Sequence, residues 1–221
     1  MSWDEAFSRR YNEWSAHMTA DVAFYVALAR EAEGPIVELA IGNGRVAIPV
    51  AQATGRVVIG VDTSPAMLQQ ARDRATEAGV ELDLREVDMR DFTLDEQAAL
   101  IYCPFRALLH LPTRADRRRT FERVAESLRL AWNAFRIRSP DRDPTRRAAP
   151  GPARSAPAVG DNRIDSTLDD GGTSSLWWAT KNEWLGLVDV AGLEIEASYG
   201  GFDGKPLDDE SREYVFVTRR R

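Results

Sequence analysis

Apolar and polar positions alternate in blocks along the N-terminal half of the chain. Short apolar runs, each of the length of a buried strand, are separated by segments whose apolar residues recur at helical spacing. The predicted strands are Ile36–Ile41, Val57–Val61, Glu81–Val87 and Ala98–Cys103, and the predicted helices are Arg45–Thr54, Pro65–Ala78 and a segment capped near Thr113. Strands that alternate with helices predict the α/β class, with a parallel sheet and helices on both of its faces.

The N-terminal part of the chain predicts a helical cap over residues 1–33. Thr19 is expected to cap a helix in which Val22 and Val26 fall on one face. A Gly-Pro pair ends this helix, and residues 34–135 form the predicted core of the domain.

The C-terminal residues, 162–221, change from parallel to antiparallel patterning. Asn162–Leu168 and Ser174–Ala179 flank an Asp-Asp-Gly-Gly sequence, which predicts a hairpin. A Thr-Lys-Asn-Glu capping box then opens a helix. Leu193–Tyr199 and Glu213–Thr218 follow as strands that pair antiparallel, because no helix connects them. These elements are expected to complete the same domain.

Residues 136–161 are predicted to be irregular. The stretch Arg136–Ala158 contains five prolines, is rich in arginine and alanine, and has no apolar periodicity. One interpretation is a mobile loop on the substrate side of the protein. A second is a shifted reading frame in GC-rich coding DNA, because the composition differs abruptly from both flanks.

Composition narrows the class of protein. The net charge of −6 argues against a general nucleic-acid binder, since phosphate neutralisation requires a basic surface. A single cysteine excludes an internal disulfide and favours a reducing cytoplasm, and with only two histidines a zinc site is not expected. There is no signal-peptide pattern and no apolar run long enough to span a bilayer. We expect a small-molecule substrate and no membrane; the oligomeric state is left open.

Three acidic residues stand at or near the ends of successive predicted strands. Glu38 precedes a turn containing Gly42 and Gly44, while Asp62 and Asp88 end the second and third strands. In a parallel sheet these ends meet at the ligand crevice. A carboxylate at Asp62 can accept both hydroxyls of a ribose, and one at Asp88 can accept an exocyclic amine. Glu38 suits a cationic group better than a pyrophosphate.

Three motifs resemble those of the class I S-adenosylmethionine-dependent methyltransferases. They are Val37–Arg45, Val58–Leu68 and Val87–Phe92, and the resemblance covers about Ala32 to Leu130 before resuming near the C-terminus. It implies a Rossmann-like, seven-stranded, mostly parallel sheet whose last strand is antiparallel. It also implies S-adenosylmethionine as the cofactor and methyl transfer to a small-molecule acceptor.

The resemblance implies roles for individual residues. Gly42 and Gly44 would let the backbone approach the methionine part of the cofactor, Asp62 would bind the ribose, and Asp88 and Met89 would contact the adenine. The full set of positions expected to contact the cofactor is Tyr11, Glu38, Ala40, Gly42, Gly44, Asp62, Thr63, Met67, Asp88, Met89 and Cys103.

The sequence departs from the family pattern in two places. Ala40 replaces the first glycine of the motif, which predicts a backbone that avoids positive φ at this position. The Pro-Gly-Gly turn expected before the fifth strand is missing at Leu128–Leu130. The segment that follows is the irregular one.

Two alternatives stay open from the residues. Gly42, Gly44 and Ala47 formally satisfy a dinucleotide fingerprint, so an NAD(P)-dependent oxidoreductase is the main rival. A Tyr-x-x-x-Lys catalytic pair is absent, and Glu38 would repel a pyrophosphate. The other alternative is a cofactor-binding protein that has lost catalysis.

The acceptor is expected near the end of the fourth strand. His110 is the candidate catalytic base, and Arg106 could hold an anionic substrate or be a solvated surface charge. Cys103 is expected to be a small buried residue rather than a nucleophile. Trp177 and Trp178 are adjacent on a strand, so at most one of them can face the substrate.

Overall fold

The computed structural model describes residues 11, 15, 17–138, 153–158, 161–168, 173–211 and 213–221. The helices are α1 Val22–Glu31, α2 Ala47–Thr54, α3 Pro65–Ala78, α4 Arg114–Ser127 and α5 Lys181–Val190, with a short 3₁₀ turn at Ala107–His110. The strands are β1 Ile36–Leu39, β2 Val58–Asp62, β3 Leu82–Glu86, β4 Ala98–Cys103, β5 Leu128–Arg138, β6 Ala153–Ala158, β7 Arg163–Leu168, β8 Thr173–Trp177, β9 Leu193–Tyr199 and β10 Glu213–Arg220.

A central sheet has the strand order β3-β2-β1-β4-β5-β10-β9. Strands β1 to β5 run parallel, which confirms the α/β class and its parallel core. Strand β10 lies between β5 and β9 and is antiparallel to both, so the predicted antiparallel pairing of the C-terminal strands is confirmed. The order in which the parallel strands are added to the sheet reverses between β1 and β4, and in such sheets the ligand crevice lies outside the carboxyl ends of these strands.

Each face of the sheet carries its own apolar core. Val37 and Ile101 point to the cluster that includes Trp184 of α5. The neighbouring residues Ile36 and Leu100 point to the opposite cluster, beneath α1 and α2. Strands buried on both faces read as continuous apolar runs, which explains why the sequence pattern located them.

The predicted cap of the N-terminal helix is wrong. The N-cap of α1 is Asp21 rather than Thr19, and the Asp21 side chain makes no capping hydrogen bond. Its carboxylate is bonded to the guanidinium of Arg45 instead. A two-point bond between charged groups outweighs a single bond to the helix backbone.

The prediction of irregular structure is also wrong at both ends of its segment. Strand β5 continues to Arg138, and residues 153–158 form β6. Strand β5 pairs with β4 and β10, and these backbone hydrogen bonds order it although its sequence has no apolar periodicity here. Pro157 is tolerated because β6 is an edge strand, where a missing N–H need not break a ladder. Residues 139–152 and 159–160 lie outside the described part, so the shifted-frame hypothesis stays a prediction there.

A second, three-stranded sheet has the order β6-β7-β8 and is antiparallel throughout. Its β7–β8 pair is the predicted hairpin, which is confirmed, while the turn that joins the two strands lies outside the described residues. Strand β8 lies against the 3₁₀ turn Ala107–His110. The small sheet is therefore placed beside the carboxyl end of β4. Among the described helices, none is long and apolar enough to cross a membrane.

Candidate functional site

A cavity of about 150 Å³ opens at the carboxyl ends of β2 and β3. Six of the residues predicted for the site line it, namely Ala40, Asp62, Thr63, Asp88, Met89 and His110. The remaining wall includes Arg90, Leu111 and Pro112, which the sequence argument did not select. The four segments that meet here, at 40, 61–63, 87–90 and 110–112, follow one another along the chain at intervals of 20 to 24 residues, and the parallel sheet brings them together.

A larger depression of about 670 Å³ lies elsewhere, between α1, α2 and α3. Its wall is mostly apolar and includes Val22, Val26 and Pro49, together with the cations Arg45 and Arg74. None of the three strand-end carboxylates lines it. The smaller cavity is the better candidate for the site because it combines carboxylates with apolar walls.

Asp62 fixes the glycine turn. Its Oδ2 accepts a hydrogen bond of 2.8 Å from the backbone N–H of Gly42, and its Oδ1 accepts one of 2.9 Å from the N–H of Ser64. The carboxylate at the end of β2 thereby holds both the turn after β1 and the start of α3. An ionised carboxylate has about four acceptor positions, so one carboxylate can hold the turn and also accept hydrogen bonds from a ligand's hydroxyl groups.

The backbone at Ala40 does not avoid positive φ, so that prediction is wrong. Ala40 has φ of +52°, in the left-handed region, followed by Gly42 at +56° and Gly44 at +75°. The turn is held by the hydrogen bond from Gly42 to Asp62 and by one of 3.0 Å from the Ile41 N–H to a β2 carbonyl. These contacts impose on alanine the conformation that suits glycine, at a cost of about 1–2 kcal/mol.

Glu38 lies beneath the turn rather than in the cavity wall. It is 1% exposed, and among the described residues its Oε2 has no hydrogen-bond partner. Burial raises the pKa of Glu38 to about 8, against the lowering influence of the Tyr102 hydroxyl and of Arg45. At neutral pH the carboxyl is therefore mostly protonated. A cation arriving next to it would favour the charged form.

Arg45 ties the N-terminal segment to the glycine turn. It forms hydrogen bonds of 2.6 and 2.7 Å with the two carboxylate oxygens of Asp21, and both side chains are buried. Tyr11 is hydrogen-bonded to the same guanidinium, while burial raises the pKa of its hydroxyl. The Tyr11 ring lies 4.0 Å from the position that a Cβ on Gly42 would occupy. Tyr11, which is expected to contact the cofactor, thus lies next to the turn.

Asp88 is held by a residue that the sequence argument missed. The Arg90 guanidinium and backbone N–H bond both Asp88 oxygens at 2.7–2.9 Å, and this lowers the pKa of Asp88. Arg90 also bonds Asp116 at the start of α4. The Asp-Met-Arg sequence offered a signal, since a cation two residues after a strand-end acid can fold back onto it.

The residues after the carboxyl end of β4 form the region where the methyl acceptor is expected. Phe105 has φ of +60°, and the Arg106 guanidinium lies over its ring, 5.3 Å from the centroid. His110 ends the 3₁₀ turn, and its residue surface is exposed. Loss of surrounding water, with a smaller influence from Arg106, lowers the pKa of His110 to about 4. Its imidazole is therefore neutral at pH 7 and accepts a proton poorly.

Met67 and Cys103, like Glu38, are predicted contact residues that do not line the cavity. Met67 is buried in α3, where its N–H completes the cap formed by Ser64. Cys103 is buried in the core, and burial raises the pKa of its thiol. It has the inert, buried character expected of it. Trp177 and Trp178 are both half-buried at the end of β8.

Comparison with known proteins agrees with this geometry. Residues 36–130 match the family model of the methyltransferase domain. Comparison with the curated proteins finds no significant match. The match covers β1 to the start of β5, which is the part of the chain that carries the strand-end acids and the glycine turn.

Solved structures share the whole fold. The CcbJ methyltransferase from Streptomyces caelestis is 22% identical, with a TM-score of 0.83 over 100% of this chain and 98% of the other. A S-adenosylmethionine-dependent methyltransferase from Clostridium acetobutylicum has a TM-score of 0.78 at 14% identity, over 95% of this chain and 98% of that one. The sugar N-methyltransferase KedS8 from a Streptoalloteichus species has a TM-score of 0.66 at 18% identity, over 96% and 91%.

Over residues 36–130 the chain is similar to the methyltransferase domain, and it shares its fold with solved S-adenosylmethionine-dependent methyltransferases. This confirms the resemblance drawn from the three sequence motifs.

Proposed function

We propose that the protein transfers the methyl group of S-adenosylmethionine to a small-molecule amine, and that the cavity at Asp62 and Asp88 holds the adenosine part of the cofactor. The observation that carries the proposal is the orientation of Asp62. Two backbone N–H groups fix its carboxylate at the edge of a cavity whose wall also includes Asp88 and Met89. A seven-stranded sheet with one antiparallel strand, β10, also supports it.

The described residues fit this cofactor. When bound, it supplies a methyl group made electrophilic by a sulfonium. Asp62 would accept hydrogen bonds from ribose hydroxyls, and Asp88 from an adenine amine. A cationic amino-acid end near the turn would shift the buried Glu38 carboxyl, whose Oε2 has no partner among the described residues, toward its charged form and so gain a counter-charge. Tyr11 would cover the turn and exclude water.

The neutral state of His110 favours an amine acceptor. A base with a pKa near 4 removes protons poorly, so an alcohol would gain little from it. A neutral amine already has a free lone pair and needs mainly alignment. His110 would accept a hydrogen bond from such an amine and orient it. Two similar structures, KedS8 and CalS10, carry the names sugar N-methyltransferase and amino pentose methyltransferase.

The domain organisation is part of the proposal. Residues 34–135 form the cofactor-binding core, α1 and Tyr11 cover it from the N-terminal side, and 162–221 complete the same domain. The buried free Cys103 is consistent with action in a reducing cytoplasm.

Binding selectivity tests the proposal. Purified protein is titrated with S-adenosylhomocysteine and, separately, with NADH in a calorimeter. The proposal predicts micromolar-range binding of S-adenosylhomocysteine and none of NADH. Binding of NADH alone would support the oxidoreductase instead. A protein that binds the cofactor is then screened with methyl-labelled S-adenosylmethionine against amines and the matching alcohols, and labelling of alcohols alone would refute the acceptor class.

A further inference from the structure

Arg117 is a buried arginine on a helix whose other arginines are largely exposed. It is 4% exposed, whereas the side chains of Arg118 and Arg119 are 56% and 61% exposed. Removing an arginine from water costs several kcal/mol unless its hydrogen bonds are replaced. Its position therefore requires partners inside the protein.

Three different parts of the fold supply those partners. The Nε of Arg117 donates to the carbonyl of Leu111 at 3.3 Å, Nη1 to the carboxylate of Glu183 at 3.2 Å and Nη2 to the carbonyl of Trp177 at 3.0 Å. The ring of Trp184 lies under the guanidinium, 5.0 Å from its carbon. Burial lowers the pKa of Arg117, and the charge of Glu183 opposes that effect.

Two of these partners belong to the walls of the site. Leu111 lines the cofactor cavity next to His110. Trp177 is the last residue of β8, the strand that lies against the 3₁₀ turn carrying His110. A planar guanidinium can bond both carbonyls and the carboxylate at once because its donors form a rigid fork. A lysine ammonium in the same place cannot span the three acceptors.

We infer that Arg117 is a positioning residue, which holds the segment His110–Pro112 against the cofactor cavity and fastens the end of β8 to the same point. The inference rests on the proposed function for its link to the cofactor. Arg117 itself contacts neither cavity nor ligand. It acts through the backbone carbonyls of Leu111 and Trp177, so this positioning does not depend on which side chains those two residues carry.

The test compares three variants with the wild type. Arg117→Lys keeps the charge beside Glu183 but loses the fork. Arg117→Met combined with Glu183→Gln removes the charged pair together, so that no unpaired carboxylate is left, and glutamine still fits the capping position of α5. Arg118→Met is the matched control, since it removes an exposed arginine from the next position of α4.

Three properties are measured for the wild type and for each variant. They are the affinity for S-adenosylhomocysteine, the titration of His110 followed by NMR, and hydrogen exchange of the backbone at 174–178. Both Arg117 variants are expected to bind S-adenosylhomocysteine about tenfold more weakly, which corresponds to the loss of one charge-assisted hydrogen bond. The His110 pKa is expected to rise toward its ordinary range, and exchange at 174–178 to accelerate, with neither change in Arg118→Met.

The outcomes separate this inference from the proposed function. If either folded Arg117 variant matches Arg118→Met in affinity, titration and exchange, Arg117 is not a positioning residue. If the double variant does not fold, Arg117→Lys decides alone by the same measurements. If the wild type binds no S-adenosylhomocysteine, the proposed function fails, while the His110 titration and the exchange at 174–178 still test the positioning.

Discussion

Asp21 and Arg45 form a buried, two-point ion pair that joins the N-terminal helix to the glycine turn of the site. The two bonds measure 2.6 and 2.7 Å, and the side chains are 3% and 9% exposed. The same guanidinium bonds Tyr11. Helix α1 and the glycine turn are thus connected through one arginine.

Breaking this pair from one side should destabilise the fold strongly. Asp21→Asn leaves the Arg45 charge buried without its counter-ion, and we expect a loss of about 3–5 kcal/mol of unfolding free energy. Urea unfolding of this variant and of the exposed control Asp73→Asn measures the effect. The double variant Asp21→Leu with Arg45→Met should lose clearly less than Asp21→Asn. An equal loss in both would show that burial of a lone charge is not the cause.

Replacing Ala40 with glycine should stabilise the protein. Ala40 has φ of +52°, so replacing it with glycine relieves about 1–2 kcal/mol of backbone strain. Glycine also gives the unfolded chain more conformational freedom, and this effect cancels part of the gain in stability. We expect a net gain of about 0.5–1 kcal/mol by urea unfolding. Ala27→Gly, at an exposed position within α1, is the matched control and should lose a similar amount. A loss at both positions would mean that the turn is not strained.

Glu38 should make stability depend on pH. Burial raises its pKa from 4.5 to about 8, so the folded protein retains a proton that the unfolded chain has released. The contribution of Glu38 to the free energy of unfolding is therefore fully present below pH 4.5. It decreases as the pH rises from 4.5 through about 8. Glu38→Gln stays neutral throughout. Relative to the wild type, this variant should therefore gain unfolding free energy between about pH 6 and pH 9.

The control for this prediction is Glu77→Gln, which removes an exposed carboxylate from α3. Urea unfolding of all three proteins at both pH values provides the comparison. A difference between Glu38→Gln and the wild type that stays constant with pH would contradict the assignment of a neutral Glu38.

His110 should titrate below the physiological range. Its pKa of about 4 lies under the ordinary value of 6.5, because water is partly removed from the ring and Arg106 is close. The unfolded chain therefore binds this proton first, and the stability linked to His110 is lost as the pH falls from 6.5 to about 4. With two histidines in the chain, NMR resolves both, and His110→Gln assigns the signal. A shift of the His110 signal centred near pH 6.5 would refute the prediction.

The strands and the strand-end acids could be predicted because each is encoded locally. A strand buried on both faces is a continuous apolar run, as β4 is. Asp62 ends the mostly apolar strand β2, and Asp88 comes two residues after the edge strand β3. The positions of these two residues along the chain were enough to place them at one edge of a parallel sheet. The hairpin of β7 and β8 could be predicted in the same way, because the Asp-Asp-Gly-Gly sequence between the two strands is typical of a turn.

Contacts between residues that are far apart in the sequence could not be predicted from local patterns. Arg117 bonds residues up to 66 positions away, and nothing in its own neighbourhood separates it from Arg118. The left-handed backbone of Ala40 is imposed by neighbours on β2, against the preference of the residue itself. Strand β6 was missed for a similar reason, since its partner β7, rather than its composition, orders it.

If Asp62 binds the ribose of the cofactor, calorimetric titration of Asp62→Asn with S-adenosylhomocysteine should reveal the loss of that contact. Asparagine keeps the shape and one acceptor but loses the charge that strengthens hydrogen bonds to ribose hydroxyls. We expect affinity to fall at least about tenfold, the equivalent of about 1.4 kcal/mol, while Asp73→Asn binds as the wild type does. Wild-type affinity in a folded Asp62→Asn protein would contradict the placement of the cofactor.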